Sequence, residues 1–327
     1  MSHDPLSPRP TDRALDPSFR HGQSTEPNYS GVVSFLRRTY ARDATGFDVA
    51  IWGVPFDTSV SNRPGARFGA RALREASTIL DGDPVYPFGL DIFEKMSVCD
   101  TGDAVADYGY PQEAPAAIEA QAAARYATGA HLVSLGGDHF ITLPILRALT
   151  KKIGGPVALI QFDAHQDTWD DEDGRIDHGT FVTTAVKEGL ILPEKSIQVG
   201  VRTHAPKDYG ITVLNGFETA KLGPEAVAAR ILSHVGTVPA YITFDIDALD
   251  PAFAPGTGTP VSGGLSSREA LSVLRGLESL NLKGFDVVEV SPPYDHAGIT
   301  ALAGATLAQY YLGLLAARKN AGAVIRP

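Results

Sequence analysis

The sequence predicts one α/β domain, a parallel sheet covered by helices on both faces. Short runs of β-type apolar residues recur along the chain, each followed by Gly, Asp or Pro and then by a helical stretch. That alternation is the signature of strands joined by crossover helices. No internal repeat, low-complexity segment or linker rich in Pro, Gly or Ser divides the chain. Its 327 residues, 43% of them apolar, suffice for a large single core.

In chain order, residues 1–45 form an N-terminal extension and residues 46–320 the α/β unit. Within the extension only Val32, Phe35 and Leu36 are periodic, and their i, i+3, i+4 spacing predicts one helical face. Strands are expected at 49–54, 131–135, 157–162, 196–199, 240–244 and 284–288. Helices are expected at 70–77, 115–128, 144–152, 179–188, 224–234 and 267–277. The last opens on a capping box, Ser266 with Glu269, and Leu271, Leu274 and Leu277 mark its inner face. Residues 297–317 carry no charge over 21 positions. Three glycines and the polar Thr300, Thr306 and Gln309 make this stretch a buried core helix rather than a membrane span.

With 28 basic and 38 acidic residues, the net charge is −10. This argues against nucleic acid or an anionic membrane as the main partner and permits a small cationic substrate. The single cysteine, Cys99, rules out an intrachain disulfide and suits a reducing, cytoplasmic setting; it reads as a small buried apolar residue. The first 28 residues mix Arg, Asp, Pro and Ser without an apolar core and do not read as a secretory leader.

Open parallel sheets bind ligands beyond the carboxyl ends of their strands. Three such ends are dense in metal-binding side chains: 134–139 with Asp138 and His139, 161–167 with Asp163, His165 and Asp167, and 243–251 with Asp245, Asp247 and Asp250. Spacing by two keeps alternate side chains on one side of an extended backbone. Taken singly, each Asp or His is better explained as a turn former or helix cap. Six together are not. Each pair of carboxylates about 4 Å apart costs on the order of 4 kcal/mol at an effective dielectric near 20, and none of the three motifs contains Lys or Arg. Two divalent cations would cancel the four negative charges. The oxygen-rich, thiolate-free set suits a hard, roughly octahedral ion such as manganese, with iron, cobalt and zinc left open.

These motifs, in this order, resemble the signatures of the ureohydrolase (arginase/agmatinase) superfamily, most closely those of bacterial-type agmatinases. Residues 65–69 and 251–260 are similar to further family segments, and the likeness spans about residues 30–318. The resemblance implies a single three-layer α/β/α domain, arginase-like, with a doubly wound, mainly parallel sheet of about eight strands. It implies two Mn2+ ions per subunit held by His139, Asp163, His165, Asp167, Asp245 and Asp247, with Asp163 and Asp245 shared between them. It also implies a homotrimer or homohexamer. His178, which alone reads as a loop histidine, matches a proton-shuttling histidine of the family. Glu289 matches the carboxylate that holds the guanidinium, and a charge ending an apolar strand needs a partner in any case. Asp138 supports His139, and Asp250 shapes the turn before Pro251.

The implied reaction is attack of a metal-bridging hydroxide on a guanidinium carbon positioned by Glu289, giving urea and a primary amine. The leaving amine is protonated by His178 or by a ligating carboxylate such as Asp167. Residues 168–174 depart from the segment with which arginases grip an amino acid, whereas 177–180 and 187–191 are similar to agmatinases. Agmatine, cleaved to putrescine and urea, is therefore the expected substrate. Guanidinobutyrate or another guanidino acid is the alternative, and a non-catalytic metal-binding paralogue a further one. The four acids at 170–173 either attract the distal ammonium or form a solvated loop. Phe181 and Val182 replace the Met-Phe of many agmatinases and are expected to line the pocket wall, and the segment 15–40 is expected to pack on a neighbouring subunit.

Overall fold

The computed structural model describes residues 12–80, 82–170 and 175–327. Among them, nine strands form one all-parallel sheet: β1 (Thr39–Tyr40), β2 (Val49–Val54), β3 (Val98–Asp103), β4 (His131–Gly136), β5 (Ala158–Phe162), β6 (Ile197–Val201), β7 (Thr212–Asn215), β8 (Pro239–Asp245) and β9 (Asn281–Val288). The spatial order is β1-β3-β2-β4-β9-β8-β5-β6-β7. The helices are α1 (Gly69–Ser77), α2 (Ile92–Lys95), α3 (Ala114–Ala127), α4 (Thr142–Ile153), α5 (Phe181–Lys187), α6 (Gly216–Leu222), α7 (Pro224–Val235), α8 (Ser267–Arg275) and α9 (Ile299–Asn320).

Strand alternation divides the core into two layers. Val49 and Ile51 of β2, Val133 of β4 and Ile160 of β5 pack with Leu73 of α1, Ile231 of α7, Leu274 of α8 and Leu312 of α9. Ala50, Trp52, Leu132 and Leu159 face the other way, onto Ile118 of α3, Leu146 of α4 and Ala185 of α5. Both faces are thus covered, as buried parallel strands require. The uncharged stretch near the C-terminus is α9, long and apolar enough to cross a bilayer, but 78% of its most apolar window is buried inside the fold. The capping box of α8 is formed: Ser266 Oγ accepts from the Glu269 amide at 3.2 Å and Glu269 Oε2 from the Ser266 amide at 2.8 Å. Cys99 is buried on β3, and burial pushes its thiol up to about 12.

The six expected strands are present, and β1, β3 and β7 are additional. No helix forms at Val32–Leu36. Residues 35–37 make one 3-10 turn in which Leu36 (φ 49°) and Arg37 (φ 54°) are left-handed, a conformation that L-residues cannot continue as a helix. The reason lies in their partners. The Phe35 amide donates to Asp100 Oδ2 at 2.8 Å and the Leu36 amide to Ser77 Oγ at 2.8 Å. Buried Asp100 also receives Arg74 Nε (2.7 Å) and Nη2 (3.0 Å), so a buried ion pair ties the extension to α1 and β3. The second half of the extension then pairs with β3 as the edge strand of its own chain's sheet.

His131 opens β4 and is fully buried, its ring between the Tyr311 hydroxyl and the Ile325 carbonyl, each at 2.7 Å. Burial drives its pKa down to about 4 from an ordinary 6.5. Between those values the unfolded chain binds the extra proton, so stability falls as pH drops through that window, by about 3 kcal/mol in full. A His131→Gln variant is expected to lose less melting temperature than the parent between pH 6.5 and 4. Equal losses would show that this imidazole does not set the acid sensitivity.

Candidate metal centre

The sheet order sets β4, β9, β8 and β5 side by side, so the segments leaving their carboxyl ends converge. After β4, Asp138 caps the turn His139–Ile141, Oδ1 accepting from the Phe140 amide at 3.1 Å, while Oδ2 accepts Ser59 Oγ at 2.6 Å. After β5, Asp163 Oδ1 accepts from the His165 amide at 2.6 Å. At the end of β8, Asp245 Oδ1 accepts from the Asp247 amide at 2.8 Å. Glu289 follows β9. Asp167 (φ 51°) and Glu289 (φ 62°) are both left-handed, a conformation that costs non-glycine residues of order 1–3 kcal/mol and concentrates at functional sites.

His139 Nδ1 lies 3.0 Å from Asp163 Oδ2, 2.9 Å from Asp167 Oδ2 and 3.3 Å from Asp245 Oδ2. His165 Nδ1 lies 3.3 Å from Asp163 Oδ1 and 3.1 Å from Asp247 Oδ2. Two potential ligand groups result, His139–Asp163–Asp167 and Asp163–His165–Asp247, with Asp163 common to both. Burial and the neighbouring Asp163 push Asp167 up to about 7, and burial with Asp247 and Asp163 pushes Asp245 well above the carboxylate range. Burial alone would lower His165, but the Asp247 and Asp163 carboxylates outweigh it and raise the ring to about 12. These upward shifts are the response of anions crowded in a buried site.

The donor set fits divalent cations. His139 Nδ1 is buried, makes no hydrogen bond and faces three carboxylate oxygens. Its distances to them, 2.9–3.3 Å, are those of neighbouring ligands around an octahedral ion with bonds of about 2.1 Å. Without a cation only a proton on Nδ1 relieves this crowding, and against the pull of burial the three carboxylates accordingly raise the ring well above an ordinary imidazole.

Beneath the cluster, a polar row crosses the sheet at one register level: Ser134, Asp286, Thr243, Gln161 and Gln198, all buried. His139 Nε2 lies 2.8 Å from Thr243 Oγ1, which donates to Asp286 Oδ1 at 2.5 Å. Asp286 Oδ2 also accepts Tyr241 OH (2.7 Å) and Thr142 Oγ1 (2.9 Å). Because the Thr243 proton is committed to Asp286, Nε2 must be the donor, which leaves Nδ1 as the ring atom that faces the carboxylates. Gln161 Nε2 donates to Asp163 Oδ2 at 2.7 Å and is itself held by Gln198. These residues escape a motif search. Their signal is a polar side chain inside each of several apolar strands.

His178 and Glu289 meet beside the cluster, Nδ1 to Oε1 at 2.8 Å, and the same oxygen accepts the His139 amide at 2.9 Å. Burial alone would lower His178, but the Glu289 carboxylate outweighs it and raises the ring to about 9. The Ser61 amide reaches Nε2 at 3.1 Å. Glu289 Oε2 is buried without a partner. A pocket of about 410 Å³ opens over the cluster and His178, lined by His139, His165, Asp167, His178 and Asp245 inside and by Trp169, Asp170, Arg175 and Asp177 toward the rim.

Phe181 and Val182 do not line this wall. Phe181 packs its ring 4.4 Å from the His139 ring and Val182 is buried in the core, because α5 turns both inward. Asp170 is exposed and paired with Lys207 at 2.5 Å, while 171–173 lie outside the described residues. Asp250 accepts three backbone amides, of Ala252, Gly263 and Gly264, as a turn-shaping residue does.

Residues 47–313 match the arginase family. The chain belongs to that family. It is 47% identical to an agmatinase of Chromobacterium violaceum over 95% of this chain and 97% of the relative, and 49% identical to an agmatinase of Neisseria meningitidis over 91% and 98%. A crystal structure titled as a hypothetical agmatinase from Burkholderia thailandensis superposes with a TM-score of 0.94 at 48% identity, covering 96% of this chain and 99% of that one. Proclavaminate amidino hydrolase from Streptomyces clavuligerus superposes with a TM-score of 0.86 at 37% identity, covering 89% and 99%. As a family member the protein is a hydrolase of guanidino compounds in a metal-dependent family.

Replacing Asp286 with Ala would strand the hydroxyls of Thr142, Tyr241 and Thr243 in the core. The expected loss is about 3 kcal/mol or more in denaturant unfolding of metal-free protein. A change below 1 kcal/mol would mean that the row is not an integrated network.

Proposed function

We propose that the protein is a binuclear manganese ureohydrolase that converts agmatine and water to putrescine and urea. The observation that carries this reading is the pair of ligand groups sharing Asp163, joined through the His139 amide to Glu289, whose Oε2 is buried and unpaired. Full-length similarity to curated agmatinases supports the choice of agmatine. His139, Asp163, Asp167 and Asp245 would hold one Mn2+, and His165, Asp247 and the shared Asp163 and Asp245 the other. Bound there, the ions supply Lewis acidity and make water nucleophilic near neutral pH.

The chain's own groups do the rest. Glu289 Oε2, buried and unpaired, accepts an N–H of the guanidinium and fixes its carbon over the cluster. A carbon–oxygen bond forms, the carbon–nitrogen bond to the alkyl amine breaks, and that nitrogen takes a proton. His178 passes that proton: Glu289 raises its pKa to about 9, and Nε2, which accepts the Ser61 amide here, is the ring atom that takes the proton up and releases it. The indole of Trp169, 6.4 Å from the His165 ring, offers a face to a cationic tail, with Asp170 and Asp177 at the rim. In the N-terminal segment, Leu15, Tyr29 and Val33 are exposed, and they supply an apolar surface for a neighbouring subunit of a homotrimer or homohexamer.

Manganese-loaded protein is expected to release urea from agmatine and far less from 4-guanidinobutyrate or arginine in a side-by-side assay. Turnover of 4-guanidinobutyrate alone would replace agmatine with a guanidino acid. An Asp245→Asn variant is expected to keep its far-ultraviolet spectrum, bind fewer than two ions and lose at least 100-fold in kcat/KM. Parental turnover by such a variant would remove the site as drawn.

A further inference from the structure

We infer that Arg202 is a positioning residue for the metal cluster, stapling together the two turns that carry Asp163, His165, Asp245 and Asp247; the inference rests on the binuclear reading above. Arg202 follows β6 directly, outside all the ligand motifs. Its backbone amide donates to Ala164 O at 2.9 Å, and Thr203 reaches the same oxygen through its amide (3.2 Å) and hydroxyl (3.0 Å). The turn between Asp163 and His165 is thereby pinned from below. Ala164 in turn donates its amide to Asp247 Oδ1 at 3.0 Å, joining the first turn to the second.

The guanidinium completes the staple from the other side. Nη2 donates to Asp247 O (2.6 Å) and Val261 O (2.7 Å), Nη1 to Gly200 O (2.9 Å), and Nε to Val261 O (3.0 Å). Longer contacts run from Nη2 to Leu249 O (3.3 Å) and from Nη1 to Ala248 O (3.5 Å). All these acceptors are carbonyls, so the group is spent on fixing backbone rather than on neutralising one acid. The slot is built for it: a Cβ on Gly264 would lie 2.6 Å from Nη2. A planar fork of five donors can satisfy three chain segments at once, and a lysine ammonium cannot.

The test uses the full chain and Mn2+ alone, titrated by calorimetry and by manganese electron paramagnetic resonance. Arg202→Lys retains the charge and loses the fork. Because the bonds of Arg202 fall on Ala164 and Asp247, the variant is expected to weaken the ion held by His165 and Asp247 10–100-fold, the range typical of residues that orient ligands, and the other ion less. The melting temperature of metal-free protein is expected to move by only a few degrees. Parental affinity at both positions overturns the inference, and so does an equal weakening of both that tracks a fall in metal-free melting temperature. Should Arg202→Lys fail to fold, Thr203→Val removes one bond of the same staple and is expected to weaken the same ion several-fold; parental affinity there overturns the inference. Parent protein that binds no Mn2+ removes the binuclear reading and this inference with it, whereas parent binding two ions and Arg202→Lys matching it removes this inference alone.

Discussion

Four aspartates and two histidines are forced into a buried space where their charges cannot be left uncompensated, and the surrounding architecture follows from that crowding. At an effective dielectric near 20, carboxylates this close repel by several kcal/mol per pair. The upward shifts of Asp167, Asp245 and His165 register that repulsion. The backbone does much of the holding. Asp138, Asp163, Asp177, Asp245 and Asp250 each accept the amide two residues on, through one carboxylate oxygen, at 2.6–3.1 Å. For Asp163 and Asp245 the second oxygen then faces His139. A turn-forming role is therefore compatible with the proposed metal-ligating one: the local turn aims the carboxylate.

The second requirement is that turns far apart in sequence meet within a few ångströms, and the sheet order supplies it. Strands β5 and β8 are neighbours, as are β8 and β9, although about 80 residues separate β5 from β8 in the chain. Parallel register then places Gln161 opposite Thr243 and Thr243 opposite Asp286. In-register neighbours point to one face, so their polar groups form a continuous floor under the ligands. A slip of one residue would turn that floor into the opposite apolar layer and bury unpaired hydroxyls, so the polar row also specifies register.

How much of this was legible in the sequence follows from which physical signal each part carries. Strands β2, β4, β5 and β8 are apolar runs and read directly. Strand β3, Val-Cys-Asp-Thr-Gly-Asp, does not, because Asp100 is there to receive Arg74 and the Phe35 amide, contacts that exist only once the fold is formed. The same long-range bonds override the helical spacing of Val32, Phe35 and Leu36. At the site, the six candidate ligands were conspicuous because Asp and His alternate at strand ends. Glu289 was visible as a charge closing an apolar strand. Ser61, Thr243 and Asp286 were not, since each is an ordinary residue made significant by a partner on another element. Phe181 and Val182 misled for the opposite reason: proximity in sequence to His178 suggested the pocket wall, and the direction of α5 decided otherwise.

The division between register-fixed and loop-borne groups also explains how one fold serves different guanidino substrates. The groups of the cluster and its neighbour, His139, Asp163, Asp245 and Glu289, sit within a few residues of paired strand ends, where any displacement would break ladder hydrogen bonds. Toward the rim, Trp169, Asp170, Arg175 and Asp177 lie on the connection between β5 and α5, which no ladder constrains. Such a segment can change its side chains without moving the cluster. A proclavaminate amidino hydrolase at 37% identity keeps a TM-score of 0.86 with this chain, as expected if the amidino-cleaving end is held by the sheet while the distal end of the substrate is read by loops. Charge balance at that rim is set pairwise among the described residues, Asp170 with Lys207 and Asp177 with Arg175. A tail of either sign must therefore compete with a standing ion pair, and a neutral aromatic face such as Trp169 discriminates without that cost.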